Sequence, residues 1–207
     1  MKVKSIKRIH NGKFLYRYDV IYETKSGNNK TYEIVSHNKH LNLNELSNEK
    51  KIDAVVIIPM DMKHEKLCIN KEFRLSVNSV VYNFPAGLVE ASEDVITAAK
   101  RELKEETGLI VKNIIAVIPP SYSAIGVCNE RTAVVICDVE NYDFTESNDE
   151  VEEIEPVWIT PEESERIAFN ENCASRTQAF LTFFASKNFN SFISYLEKVS
   201  LNEGKCK

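Results

Sequence analysis

Several residue types and patterns are scarce in these 207 residues, and each scarcity excludes something. Glycine and proline number six each, too few for a collagen-like repeat or a low-complexity linker. Long apolar runs are missing. Ala54-Val55-Val56-Ile57-Ile58 falls far short of the roughly 20 residues a membrane-spanning helix needs, so no membrane partner is expected. The opening MKVKSIKRIH carries charge with no apolar stretch behind it, so no signal peptide is expected. Cys68, Cys128, Cys137, Cys173 and Cys206 stand far apart with no CxxC pair. They predict reduced thiols in a cytoplasmic protein and no disulfide framework. His37 and His40 come nearest to a metal-ligand pair, but no Cys or His nearby completes a zinc site, and they read as polar loop residues. Basic charge is not in excess. With a net charge of -5, the chain offers no basic surface to a nucleic-acid backbone.

What remains is an ordinary globular composition, 43% hydrophobic and 28% charged, in a chain long enough for one substantial core. Residues 14–22 and 32–35 alternate apolar or aromatic with polar positions around the turn signal Ser26-Gly27-Asn28-Asn29, which predicts a β-hairpin. Residues 37–51, rich in Asn and Lys, read as a loop to the main body. Strands are expected at 54–58, 67–69, 80–82, 114–118, 132–139 and 157–160. A helix is expected over 93–107, with Ser92 as N-cap, Glu93 and Asp94 at the positive end of the dipole and Gly108 as its stop. Residues 161–200 carry apolar residues at helical spacing, Phe180, Phe183 and Phe184 among them, and read as core. This mixed order of strands and helices predicts an α/β class, an α+β mixed sheet or α/β/α sandwich.

On the expected helix, Glu102, Glu105 and Glu106 are spaced i, i+3, i+4, so three carboxylates share one face, beside an apolar stripe of Ile96, Ala99 and Leu103. At about 5 Å and an effective dielectric near 20, each pair costs roughly 3 kcal/mol. Either the groups splay into water, laced by Lys100 and Lys104, or they hold hard cations such as Mg²⁺, which favour carboxylate oxygens.

The wider pattern decides between these. From Gly87 the chain runs five residues to Glu93, seven more to Arg101-Glu102-Leu103, one to Glu105-Glu106 and one to Gly108-Leu109. Seven fixed and two apolar positions would match by accident far less than once in about 10⁵ such chains. The segment is similar to the Nudix box, and the chain is identified as a member of the Nudix hydrolase family. The resemblance implies an α/β/α sandwich whose glutamates bind Mg²⁺, sometimes Mn²⁺, and hydrolysis of a nucleoside diphosphate linked to another group. Carried onto this chain, it makes Glu102 and Glu106 metal ligands and Glu105 a further ligand or water-orienting group. It also makes Arg101 the residue that fixes a glutamate, Glu93 a support for the loop, and Gly87 and Gly108 structural positions of the box.

The resemblance extends to the ADP-ribose pyrophosphatase branch. Asn70-Lys71-Glu72-Phe73-Arg74 resembles its Q-x-R segment, which implies that Arg74 contacts substrate phosphate. Phe84-Pro85-Ala86-Gly87 resembles its entry to the box, which implies that the Ala86 carbonyl is a metal ligand. The N-terminal hairpin is similar to one exchanged between subunits of a homodimer, which implies a homodimer in which Phe14, Tyr16 or Tyr18 stacks on a base, with ordinary cross-strand aromatic pairs as the plain alternative. Gly126-Val127-Cys128-Asn129-Glu130 is similar to the branch's glycine-to-glutamate loop, which makes Glu130 a substrate contact. A second acidic run, residues 150–155, falls where the branch supplies a general base. Glu152 and Glu153 match best and Glu150 is a further candidate, while a solvated charge run is the plain alternative. Two positions depart from the branch: Ala124 and Ile125 stand where it has a marker proline, and Asn83 replaces a glutamate.

The expected domains are a hairpin extension over 1–47, a catalytic core over 48–165 and C-terminal helices over 166–207. The expected reaction takes ADP-ribose to AMP and ribose 5-phosphate. The alternatives are a UDP-sugar, a dinucleotide or an oxidised nucleotide as substrate, or a non-catalytic module that senses ADP-ribose.

Overall fold

The computed structural model describes residues 1–46, 51–145 and 153–202. The chain divides into two compact units, one of residues 1–53 and 120–132, the other of residues 54–119 and 133–207.

In the first unit three antiparallel strands form a sheet in the order β1 (Lys2–Asn11), β2 (Tyr16–Glu23) and β3 (Asn29–Ser36). The expected hairpin is β2–β3, and its turn uses Gly27 at φ 84°, a left-handed conformation that glycine adopts without a Cβ penalty. β1 was not expected. Its Lys- and Arg-rich sequence has no apolar alternation because both its faces are largely exposed, so pairing with β2 makes it a strand. Val35 N–H donates to the Val127 carbonyl at 2.9 Å, tying β3 to the 120–132 segment.

The second unit holds a sheet in the order β10 (Ile154–Ile159), β5 (Leu67–Arg74), β4 (Ala54–Met60), β9 (Arg131–Val139) and β8 (Val111–Tyr122). β6 (Ser79–Asn83) pairs with β5, and β7 (Ala86–Leu88) pairs with β4. Alternation along the strands sorts side chains onto two faces. Val56, Ile58, Met60, Val134 and Ile136 belong to one apolar cluster, Val55, Ile57, Val135, Cys137 and Val139 to the other. The second face is covered by α1 (Val95–Thr107) through Ala98, Ala99 and Leu103. The first is covered by α2 (Pro161–Asn170), α3 (Ser175–Phe184) and α4 (Phe189–Asn202) through Ile167, Leu181, Phe184, Phe189 and Ile193. Burial on both faces explains why β4 and β9 read as continuous apolar runs. The unit is the expected α/β/α sandwich. Among the described residues no helix is long and apolar enough to cross a membrane.

α1 starts two residues later than expected, and its N-cap is Asp94, not Ser92. Asp94 has extended backbone angles, and its carboxylate accepts from Thr97 N–H at 2.7 Å. The stop is as expected. Gly108, at φ 76°, donates its N–H to the Lys104 carbonyl, and a Cβ there would lie 2.1 Å from Thr145 Oγ1.

Candidate functional site

The site is built where β5, the β6–β7 segment and α1 meet. Leu103 buries on the sheet while Glu102 and Glu106 flank it, so the apolar stripe of α1 holds its acidic face against the core edge. Arg101 anchors the arrangement. Its Nε and Nη2 donate to the two oxygens of Glu93 at 2.8 and 2.9 Å. Nη1 reaches Glu102 at 2.8 Å and Glu105 at 3.0 Å, and Nη2 also donates to the Leu88 carbonyl. This two-pronged pairing holds Glu93 below the usual carboxylate range.

Glu102 and Glu106 behave in the opposite way. Burial pushes Glu102 up, with Arg101 working against it. Glu106 is pushed up to about 8, first by burial and then by the neighbouring charges of Glu102 and Glu72. Asn70 Nδ2 donates to Glu106 Oε2 at 2.6 Å, and Ala86 N–H reaches Oε1 at 3.4 Å. Gly87 lies under Glu102 so closely that a Cβ would fall 2.0 Å from its Cδ. Only glycine leaves that carboxylate where Arg101 holds it.

The donor set fits a hard divalent cation. It consists of oxygen donors, and burial pushes two of its carboxylates, Glu102 and Glu106, up, a cost that a bound cation would offset. Among the described residues no three His, Cys, Asp or Glu side chains by themselves surround a common point. A magnesium-type ion does not require that, since it takes one or two carboxylates and completes its shell with water and phosphate oxygens. Carboxylate oxygens keep a second lone pair beyond the bonds described, so these contacts do not preclude ligation. Glu105 is exposed and turned to Arg101. Cys68 and Cys137 are not nucleophiles: burial raises both thiols, Cys137 to about 12.

Beside Arg74, β5 brings in Asn70 and Glu72, whose roles the sequence did not reveal. Asn70, Glu72 and Arg74 alternate onto one face, and the first two are buried. Arg74 Nε lies 2.9 Å from Glu72 Oε1, although no aligned hydrogen bond reaches that oxygen. The signal for Asn70 and Glu72 was present as polar residues at period two beside the apolar run Leu67-Cys68-Ile69. Glu153 is exposed, and its carbonyl accepts from Phe73 N–H, so the chain brings it to the end of β5 that carries Glu72 and Arg74. Glu150 and Glu152 lie outside the described residues.

The remaining expected residues fall in the first unit. Phe14 is 71% exposed. Tyr16 is half-buried with the Arg8 guanidinium 6.0 Å from its ring centroid. Tyr18 corrects an expectation: it is 2% exposed, its hydroxyl donates to the Asn38 carbonyl and accepts from Leu41 N–H, and its ring is core with no face open to a base. Glu130 pairs with His37 Nε2 at 3.3 Å.

Comparison with known proteins adds the following. Residues 50–178 match the NUDIX domain. The chain is 28% identical over 144 residues to an ADP-ribose pyrophosphatase of Saccharomyces cerevisiae, covering 68% of this chain and 59% of that protein. It is 34% identical over 109 residues to an ADP-sugar pyrophosphatase of Mus musculus, covering 51% of this chain and 47% of that protein. The chain thus spans roughly half the length of these curated relatives. A crystal structure of an ADP compounds hydrolase shares the fold, with a TM-score of 0.67 at 20% identity, over 94% of this chain and 96% of that one.

Proposed function

The chain belongs to the Nudix family, and from that membership we propose that it is a magnesium-dependent hydrolase cleaving the diphosphate of ADP-ribose or a related ADP-sugar. The observation that carries this reading is the pair Glu102 and Glu106, two desolvated carboxylates on one turn of α1 beside Ala86 and Gly87. Similarity to the yeast and mouse pyrophosphatases supports the substrate class.

In the reaction, a water oxygen bonds to one phosphorus, the P–O bond to the bridging oxygen breaks, and ADP-ribose gives AMP and ribose 5-phosphate. Bound divalent ions supply Lewis-acid polarisation of the phosphoryl oxygens and a more acidic water. Glu102, Glu106 and the Ala86 carbonyl hold those ions, with Mn²⁺ as a substitute for Mg²⁺, and Glu105 is a further ligand or orients water. Arg101 keeps Glu102 in place, and Arg74 pairs with phosphate. Glu153 or Glu152 accepts the water proton. Phe14 or Tyr16, and Glu130, contact the nucleoside or sugar. The protein acts in the cytoplasm.

The test is to incubate the chain with ADP-ribose and Mg²⁺ and identify the products by mass. AMP and ribose 5-phosphate are expected, and Glu106→Gln is expected to lower turnover more than about 100-fold with the fold intact. Full turnover by that variant at saturating metal would refute the assignment. The N-terminal hairpin, β2–β3, is the part exchanged in a homodimer. A dimer mass on gel filtration is expected, and an active monomer would remove it.

A further inference from the structure

β5 enters the site with an unusual residue for its place. Asn70 is 1% exposed and follows Leu67, Cys68 and Ile69, all fully buried. A buried amide costs stability unless each of its polar atoms is bonded. Only half of this one is. Nδ2 donates to Glu106 Oε2 at 2.6 Å, while Oδ1 is buried without a partner. Toward the ionised Glu106 that a cation needs, which only accepts, the amide presents Nδ2 and leaves Oδ1 over. An apolar residue there would remove the buried unpaired oxygen, and the one side-chain bond it would forfeit is the bond to Glu106, so the amide acts on Glu106.

We infer that Asn70 is a positioning residue that clamps the Glu106 carboxylate for cation binding. It holds Oε2 while the more distant Ala86 N–H faces Oε1, so the group cannot turn away from α1's acidic face. The residue type suits the task. Lysine or arginine would neutralise Glu106 and compete with the cation, aspartate would repel it, and an apolar side chain would leave it free to rotate. An asparagine amide supplies a donor without a charge. This rests on reading Glu106 as a metal ligand.

The test measures Mn²⁺ binding to the full chain without substrate, by electron paramagnetic resonance of the free ion. Asn70→Leu and Asn70→Ala are compared with wild type, Glu106→Gln and Ile69→Val. Ile69 is buried on the opposite face of β5, so its variant loses core contacts without touching Glu106. Both Asn70 variants are expected to bind Mn²⁺ about tenfold or more weakly, while Ile69→Val binds as wild type. Two results overturn the inference: Asn70 variants within about twofold of wild type while Glu106→Gln is weakened, or an equal weakening in Ile69→Val. Undiminished binding by Glu106→Gln overturns the reading of Glu106 itself, and the inference with it.

Discussion

The Glu106 carboxylate is held by one short donor and one long one, against burial and two acidic neighbours. That imbalance has a measurable thermodynamic consequence. With its carboxyl raised to about 8 in the folded chain and 4.5 as the reference value, the native state keeps a proton that the unfolded state has released anywhere between those pH values. Stability without metal therefore falls as pH rises through that window, and the whole penalty is present above about pH 8. In chelator at pH 8, Glu106→Gln is expected to melt about 3–8 °C above wild type, since 1 kcal/mol moves Tm by about 2–4 °C in a chain of this size. At pH 4.5 the two should melt together. Calorimetry at the two pH values checks this, and equal melting at both would show that Glu106 is not desolvated. At this scale the sequence revealed the carboxylates but not the clamp. Asn70 and Glu72 act through burial and neighbours from other elements, which a pattern along one strand does not disclose.

Among the elements, α3 does more than cover the sheet. Thr177 is 1% exposed, and its hydroxyl accepts from Phe84 N–H at 3.1 Å while donating to Asn83 Oδ1 at 2.9 Å. The chain between α2 and α3 also bonds Tyr82, through Asn172 and Ala174. The C-terminal helices thereby fix the strand end from which Ala86 and Gly87 emerge. Thr177→Val keeps the shape and leaves the Phe84 N–H and the Asn83 oxygen without that partner, a loss of about 1–3 kcal/mol. Tm is expected to fall by about 3–8 °C, and an unchanged Tm would show that the hydroxyl is dispensable. Elements with strong local signals were legible from the sequence. Gly108 stops α1, and the apolar runs of β4 and β9 mark strands buried on both faces. β1 was not legible, because a strand exposed on both sides carries no alternation, and the cap is Asp94 in place of Ser92 because it is the Asp94 carboxylate that reaches Thr97 N–H.

At the scale of the molecule, one unit carries the box, the Arg74 strand and Glu153, while the other carries Phe14, Tyr16 and Glu130. The box residues were legible because they lie within 22 residues of one another, from Gly87 to Gly108. The residues proposed to contact substrate come from separate stretches of the chain, and Tyr18, one of the expected ones, is buried in the core. The central claim is that two partly buried carboxylates of α1 remain together because divalent ions sit between them and a diphosphate. The most direct measurement is anomalous scattering from a crystal soaked in Mn²⁺ with a non-hydrolysable ADP-ribose analogue. The account predicts a peak at coordination distance, about 2.1 Å, from oxygens of Glu102 and Glu106, with the analogue's phosphate on the ion's far side. A bound analogue with no metal at that face, or metal held by other residues, would contradict it.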